Sequence, residues 1–252
     1  MCREGAKSRG SIVMEDTLKK DKIVFIGDVH GEFGKLRFDI RRMHENAYLI
    51  QVGDFGVGFH KEGYYELELK KLQDELARYN CHLFVLRGNH DNPAWFTKTH
   101  NPFGYENITL LADYTELDLL GKKILCVGGA ISIDREHRIE GKSWWEDEVF
   151  VLKLEAAWPY AEKKYDIVAT HTRPAVCGAF KGFKNIQEWC NNDPTLKNEL
   201  IEEGQLVDYL YNHTKPAHWF YGHFHESNLI THGSTVFRCL DIDEHILYTP
   251  PL

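Results

Sequence analysis

Five short apolar runs in this chain stop abruptly at glycines, histidines and carboxylates, and these endings restrict the fold more than any other feature. The runs end at residues 26, 52, 86, 169 and 221, and the polar segments that follow are 27–31, 53–56, 88–91, 170–174 and 222–225. Short apolar runs of this kind are typical of buried strands. Open α/β sheets place their ligands outside the carboxyl ends of such strands. We therefore expect strand ends that deliver polar side chains to a shared site.

Helical periodicity separates the first three runs and indicates a parallel arrangement. The apolar residues of the two intervening segments recur every three or four positions: Phe33, Leu36, Ile40 and Met43, then Tyr65, Leu69, Leu72, Leu76 and Tyr79. Strand–helix–strand alternation is typical of βαβ units. Further along, segments 108–111, 114–119 and 123–127 look like strands with short connections. These predict that an antiparallel or mixed second sheet begins there.

The remaining segments are expected to complete a single domain. We predict helices over about 147–163 and 195–212, with a loop rich in Gly, Asn and Asp up to about 194. Strands near 227–232 and 235–242 would close the chain. Residues 1–20 are polar and lack periodicity, so we expect a flexible N-terminal segment there and one domain over 21–252.

Composition argues against several classes of protein. The formal net charge of −8 opposes a general nucleic-acid coat or a binder of anionic membranes. No run of about 18 apolar residues is present, and the N-terminus lacks the apolar stretch of a signal peptide. The six cysteines are scattered without a CxxC pair. This pattern predicts a reducing, cytoplasmic setting and no zinc-thiolate site.

The polar strand endings carry side chains that suit manganese, iron, cobalt or zinc. These residues are Asp28, His30, Asp54, Asn89, His90, Asp91, His171, His223 and His225. Taken alone, an aspartate after a strand is more often a helix cap or a turn residue. A single histidine is more often a packing residue. Five such endings in one chain favour a metal site over these structural roles.

The five blocks, in this order, resemble the signature of the calcineurin-like metallophosphoesterase superfamily: D-x-H, G-D, G-N-H-[DE], a single H and G-H-x-H. The resemblance implies an α/β (mixed α+β) fold, a four-layer αββα sandwich of two mixed β-sheets flanked by helices. Residues 86–90 match the L-R-G-N-H of protein serine/threonine phosphatases, but the spaced D-R-G of those enzymes is missing after Asp54. The chain looks closer to small bacterial and phage phosphoesterases with G-D-F-G and a segment like 128–135, G-G-A-I-S-I-D-R.

The resemblance implies a site for two divalent ions, with Mn²⁺ favoured over Fe, Zn, Co or Ni. The implied ligands of the first ion are Asp28, His30 and His225. Those of the second ion are Asn89, His171 and His223. Asp54 would bridge the two ions, because a carboxylate has two oxygens. Two ions about 3.5–4 Å apart can share a hydroxide, which would act as the nucleophile on a phosphoester.

His90 is implied to be the catalytic residue that binds no metal. It would donate a proton to the leaving oxygen, a role that suits an imidazole with an ordinary pKa of about 6.5. Asp91 is expected to orient this imidazole and to favour its protonated form.

Four arginines are candidates for binding the substrate phosphate: Arg87, Arg135, Arg138 and Arg173. Each has a structural alternative, since Arg87 could support the turn, and the arginines at 135 and 138 could pair with nearby carboxylates. Segment 131–147 is the best candidate for substrate recognition. Its tryptophans, Trp144 and Trp145, would either stack on a base or pack under the loop. The carboxylates Asp193, Glu199, Glu202 and Glu203 are interpreted as a solvated helix face.

The predicted function is hydrolysis of a phosphoester, with a phosphomonoesterase favoured. The substrate would be a phosphorylated small molecule, a nucleotide or a phosphopeptide, and no membrane partner is expected. One alternative is a phosphodiesterase or nuclease acting on nucleotides or nucleic-acid ends, although the acidic charge disfavours long nucleic acid. A second is a non-catalytic binding module on the same fold, like the retromer scaffold subunit. Such modules usually have eroded ligand sets, and no ligand is eroded here.

Overall fold

The first sheet is built from the strand–helix alternation of the N-terminal half. This computed structural model describes residues 12–13, 20–61, 63–152, 163–178 and 186–249. Four of its strands run parallel, namely β2 (Lys22–Ile26), β3 (Ala47–Gln51), β4 (His82–Val85) and β5 (Ile108–Leu110). The last strand of the chain, β12 (His245–Leu247), pairs antiparallel with β2. Helices α1 (Phe33–Met43) and α2 (Tyr64–Arg78) connect successive parallel strands.

The second sheet has seven strands and is also mixed. They are β1 (Ile12–Val13), β6 (Thr115–Leu119), β7 (Lys122–Val127), β8 (Ile167–Thr170), β9 (His218–Tyr221), β10 (Asn228–His232) and β11 (Thr235–Cys239). Their spatial order is β1-β6-β7-β8-β9-β11-β10. The β6–β7 and β10–β11 pairs are antiparallel, and the others are parallel.

Alternation of side chains along the strands produces the layers. In β2, Ile23 and Phe25 point to the space between the sheets, where Phe25 stacks on Phe220 of β9 at 3.8 Å between ring centroids. Val24 and Ile26 point the other way and pack under α1 and α2. Because successive strand residues face opposite sides, one apolar run contributes to two cores. The predicted αββα sandwich of two mixed sheets flanked by helices is confirmed.

Several predicted segments differ from the structure. The expected flexible segment contains the strand β1, which pairs with β6, and the strand β12 follows the last predicted strand. Of the helix expected over 147–163, the described residues form only a short 3-10 turn, Glu146–Glu148, and 149–152 are not helical. Residues 153–162 lie outside the described residues, as do 1–11 and 14–19 of the expected flexible segment. The loop expected up to 194 contains a helix, α3 (Ile186–Asn192), followed by α4 (Leu196–Thr214). Ile186, Trp189 and Cys190 share one face of α3 and pack on the cluster around Leu196, which explains the helix.

The five cysteines in the described part of the chain are free thiols. Four of them are buried, and burial raises the pKa of the Cys126 and Cys239 thiols well above the ordinary value. They therefore act as small apolar packing residues. None of the described helices is long and apolar enough to cross a bilayer.

A buried histidine pair should make the stability of the fold depend on pH. His44 Nε2 at the end of α1 lies 2.6 Å from His245 Nδ1 of β12, and the rings stack. Burial and the neighbouring His44 lower the pKa of His245 to about 4. Since the unfolded chain then binds the proton more readily, stability falls as pH drops below about 6.5. We expect a loss of about 2 kcal/mol between pH 7.5 and pH 5 from this group.

Urea denaturation of the metal-free protein at these two pH values measures the effect. The variant His245→Gln is the control, because it keeps a polar side chain that does not titrate. Its stability should vary less with pH than that of the unsubstituted protein. An identical pH dependence in both proteins would contradict the assignment.

Candidate metal centre

Five strand ends from both sheets meet at one edge of the sandwich. Three belong to the first sheet and supply Asp28, His30, Asp54 and the 89–91 segment after β2, β3 and β4. Two belong to the second sheet and supply His171 after β8 and the 223–225 segment after β9. The nine polar residues singled out in the sequence therefore come from loops on one edge, as expected for carboxyl ends of parallel strands.

One group of donor atoms lies around Asp28. Single ligand atoms of Asp28, His30, Asp54 and His225 all lie within 4.8 Å of one another. His225 Nε2 is 3.1 Å from Asp28 Oδ2 and 3.0 Å from His30 Nε2. Asp28 is fully buried, whereas the His30 and His225 side chains are partly open to solvent. This group can therefore be reached from outside.

A second group lies deeper and shares Asp54 with the first. Ligand atoms of Asp54, His171 and His223 lie within 4.8 Å of one another. His171 Nε2 is 3.1 Å from Asp54 Oδ1 and 3.0 Å from Asn89 Oδ1. Asp54 is thus the one residue common to both groups.

These separations fit ligands around a divalent ion. Two donor atoms each about 2.1 Å from one ion, at right angles to each other, lie about 3 Å apart. The closest donor pairs in both groups have this spacing. His171 Nδ1 donates to the carbonyl oxygen of Val52 at 2.9 Å, which leaves Nε2 facing the donor group. A hydrogen bond of this kind fixes the tautomer that a metal-binding histidine needs.

The carboxylates of the site favour positive charge. Burial opposes a charge on His171, but Asp54 and Asp28 outweigh it and raise the pKa of His171 to about 9. Burial likewise opposes the charge on Asp54, yet His171 and His90 hold the pKa of Asp54 well below its usual range. A buried site with this balance attracts cations.

The backbone at the site is bent into unfavourable conformations. His30, Asp54, His223 and His225 have φ values of +48°, +58°, +71° and +48°. The left-handed region costs a non-glycine residue about 1–2 kcal/mol, and such strain concentrates at functional sites. Gly88 permits a further close approach, since a Cβ there would overlap the backbone nitrogen of Asp54. The sharp turns bring donor side chains from neighbouring strands together.

Asp91 does not orient His90, contrary to the expectation from sequence. Its buried carboxylate accepts hydrogen bonds from four backbone N–H groups, those of Phe55, Gly56, Val57 and Gly88, at 2.7–3.1 Å. Among the described residues, no hydrogen bond joins it to the His90 ring. Burial and the charge of Asp54 raise the pKa of Asp91 to about 7, against the pull of the amides. Asp91 instead ties the loop after Asp54 to the end of β4.

His90 faces the donor groups and contacts Arg138. Its backbone N–H donates to Asp54 Oδ1 at 2.7 Å, and its ring meets His30 edge-on at 4.8 Å. Arg138 Nη2 donates to His90 Nε2 and also lies 2.7 Å from Asp134 Oδ1. Burial and the Arg138 charge contribute to a lowered pKa for His90. An Asp91 carboxylate beside the ring would instead have raised the pKa of His90.

Arg138 is the one predicted phosphate-binding arginine that lines the cavity over the donor groups. Arg87 is buried and donates to Asp113 and to the carbonyls of residues 147–149. Arg135 pairs with Asp193 and Glu199 of the α3–α4 region. Arg173 is 3% exposed and stacks under Phe224 at 4.0 Å. The proposed phosphate role of these three is therefore corrected to a structural one. The carboxylates interpreted as a solvated helix face are not all solvated, because Asp193 and Glu203 are buried.

Segment 131–147 lines the cavity as expected, through Ile133, Asp134 and Arg138, but Trp189 and Phe224 were not predicted to do so. The cavity has a volume of about 250 Å³, and its walls include Ile133, Trp189 and Phe224 beside Arg138 and the donor residues. The tryptophans expected there lie elsewhere, because Trp145 packs against Phe59 and Trp144 lines a separate cavity. Phe224 could have been found inside the last histidine motif. No sequence signal distinguished Trp189, whose position depends on how α3 packs.

The sequence and the fold are similar to those of known phosphoesterases. The sequence matches the family model described as calcineurin-like phosphoesterase over residues 21–227. Phosphopantetheinyl hydrolase from Mycobacterium tuberculosis is 13% identical, with a TM-score of 0.46 and coverage of 90% of this chain and 92% of that one. An archaeal phosphodiesterase is 13% identical, with a TM-score of 0.38 and coverage of 90% and 99%.

A cold-active protein-tyrosine phosphatase of a psychrophilic Shewanella species is also similar. It is 14% identical, with a TM-score of 0.38, and the match covers 94% of this chain and 78% of that one. Comparison with curated protein sequences gave no match.

Proposed function

Because this chain belongs to the calcineurin-like phosphoesterase family, whose members are metal-dependent phosphoester hydrolases, we propose that it is a two-metal phosphomonoesterase. The observation that carries the proposal is the position of Asp54 in both donor groups. A carboxylate has two oxygens, so one that belongs to two donor groups can contact two ions at once. Residues 21–252 would form the catalytic domain, and the free thiols support a reducing, cytoplasmic setting.

Each donor group would hold one ion. Asp28, His30 and His225 would bind the outer ion. Asn89, His171 and His223 would bind the inner ion, and Asp54 would contact both. When bound, two divalent ions supply Lewis-acid activation of water and of the phosphoryl oxygens. The oxygen and nitrogen donors suit Mn²⁺, Fe, Zn, Co or Ni, and the family resemblance leads us to propose Mn²⁺ among them.

His90 and Arg138 would act on the substrate directly. The Arg138 guanidinium would bind the phosphoryl oxygens, which would replace His90 Nε2 as its acceptor. His90 Nε2, no longer accepting from Arg138, would then take up a proton from solvent and donate it to the leaving oxygen. The backbone hydrogen bond from His90 to Asp54 fixes its distance from the donor groups.

The size of the cavity favours a small substrate. A volume of about 250 Å³ lies just below the usual range of ligand pockets, which begins near 300 Å³. Trp189 and Phe224 offer apolar surface for the leaving group. A phosphorylated small molecule or nucleotide suits this space, as does a phosphorylated side chain at an exposed peptide end.

Assays with two chromogenic substrates test the proposal. With Mn²⁺ added, we expect p-nitrophenyl phosphate to be hydrolysed faster than bis-p-nitrophenyl phosphate. The reverse order would favour a phosphodiesterase. Inactivity on both esters and on a panel of phosphorylated metabolites, with each candidate metal in turn, would overturn the assignment as an enzyme.

Two neighbouring arginines provide a matched test of substrate binding. Arg138→Ala should lower kcat/KM by about 10- to 100-fold, because a charged hydrogen bond contributes about 1.5–3 kcal/mol. Arg135→Ala removes the same charge from the same segment but breaks its pairs with Asp193 and Glu199. That variant should melt at a lower temperature with little change in kcat/KM. Steady-state kinetics and thermal denaturation of both variants separate the two roles, and the opposite pattern would refute the assignment.

A further inference from the structure

The side-chain amide of Asn89 begins a chain of hydrogen bonds that ends at a buried carboxyl group. Asn89 Nδ2 donates to Ser132 Oγ at 3.1 Å. Ser132 Oγ donates to Glu148 Oε1 in a short hydrogen bond. The other carboxyl oxygen, Glu148 Oε2, accepts the backbone N–H of Trp145 at 3.1 Å. Ser132 is 1% exposed and Glu148 is fully buried, so water does not compete for these bonds.

These hydrogen bonds from Asn89 through Ser132 to Glu148 form a relay, and Glu148 sets its direction. Ser132 Oγ donates to Glu148 Oε1, as it must when the carboxylate is ionised, because an ionised carboxylate only accepts hydrogen bonds. Burial raises the pKa of Glu148 to about 7, so this state dominates above that pH. The lone pairs of Ser132 Oγ are then available to accept from Asn89 Nδ2. The amide nitrogen therefore faces Ser132, and the amide oxygen faces His171 Nε2 at 3.0 Å.

We propose that Ser132 and Glu148 are positioning residues that determine which end of the Asn89 amide faces the inner ion. The inference rests on the proposed metal centre. An amide oxygen can bind a cation, whereas an amide NH₂ group presents two hydrogens and repels it. The two ends of the amide have almost the same shape, so packing alone cannot select between them. The polarity of the hydrogen bonds makes the selection.

Arg87 holds the Glu148 end of the relay in place. Its guanidinium donates to the backbone carbonyl oxygens of Asp147 and Glu148. Arg87 also belongs to the strand end that carries Asn89, and its own carbonyl oxygen accepts the N–H of Gly129 at 2.7 Å. Arg87 thereby attaches both ends of segment 128–148 to the turn after β4. This gives the segment a part in building the metal centre.

The variant Glu148→Gln tests the direction of the relay while keeping its shape. One end of the glutamine amide donates, so it either opposes the Trp145 N–H or donates to Ser132. In the second case Ser132 would donate to Asn89 and turn its NH₂ group toward the ion. Replacing an outer-shell partner of this kind typically weakens metal binding by about 10- to 100-fold.

The two ion positions are separated by testing each alone. A His225→Ala background leaves the inner site, and a His171→Ala background leaves the outer site. Titration of metal-free protein with Mn²⁺ at about pH 8, where Glu148 is ionised, followed by EPR of the free ion, gives each dissociation constant. We expect Glu148→Gln to weaken the inner site by about 10- to 100-fold. The outer site should change by less than about twofold, since it shares no partner with the relay.

A second variant and a control guard against a general loss of structure. Ser132→Ala removes the link itself and should weaken the same inner site. Thr235→Val removes an equally buried hydroxyl, which donates to Pro216 elsewhere in the fold, and should weaken neither site. Unchanged inner-site affinity in both relay variants, or equal losses at both sites, would overturn the inference. Absence of Mn²⁺ binding in the unsubstituted protein would instead overturn the proposed metal centre.

Discussion

Replacing Asp54 with alanine is expected to abolish phosphoester hydrolysis and to empty both metal positions. Asp54 belongs to both donor groups, and its Oδ1 also accepts the backbone N–H of His90. Its loss therefore removes a ligand from each ion and the anchor of the proposed acid at once. Removing one member of a set of groups that act together lowers kcat by a factor on the order of 10⁴ or more. Metal content after equilibrium dialysis should fall together with kcat.

The variant Asp54→Asn separates charge from shape. It keeps an oxygen for the His90 N–H but carries no negative charge to share between two cations. We expect partial metal content and activity far below that of the unsubstituted protein. Asp208→Asn serves as a control, because Asp208 accepts a backbone N–H from Val176 and lies outside the donor groups. Two ions per chain retained at full occupancy in Asp54→Ala would show that the bridging assignment is wrong.

Replacing His90 with alanine should leave the metals bound and remove most of the turnover. A side-chain acid contributes about 10²–10⁴-fold to the rate. The contact from His90 to Asp54 uses the backbone N–H, which alanine retains. Its imidazole can therefore be removed without disturbing the donor groups. The expected result is metal content near that of the unsubstituted protein with kcat lower by that factor.

The leaving group of the substrate distinguishes proton donation from a purely electrostatic role. p-Nitrophenolate leaves readily without a proton, whereas an alkoxide does not. The His90→Ala variant should therefore lose more activity on an alkyl phosphate than on p-nitrophenyl phosphate. His30→Ala is the contrasting variant, since His30 belongs to the outer donor group and its loss should lower metal content. Equal losses on both substrates would exclude His90 as the acid, and loss of metal from His90→Ala would make it a ligand.

Local patterns were sufficient to predict most of the architecture. The apolar runs and the helical spacing after Gly31 and Gly56 gave the parallel strands and the first two helices, because alternation and periodicity are local properties. The family signature added the pairing of two sheets. The helix at Ile186–Asn192 was missed because its apolar face is short and its stability depends on packing against α4.

The roles of individual polar residues followed the sequence less well. Asp91 is adjacent to His90 in the chain, yet its carboxylate bonds to backbone amides of the loop after β3. Arg135 and Arg138 lie three positions apart, but only the second reaches the cavity. Such choices depend on partners that are distant in sequence. A motif gives the type of side chain available and leaves its partner undetermined.

The sequence by itself determined the strands, the donor residues that follow them and the family to which the chain belongs. These follow from local apolar patterns and from five short blocks in a fixed order. Only the tertiary structure decided that Arg138 faces His90, that Arg87 supports residues 147–149, and that Ser132 and Glu148 reach Asn89. The physical reason is that hydrogen bonds and ion pairs form between groups a few ångströms apart in space. Packing of the two sheets and their loops sets those distances.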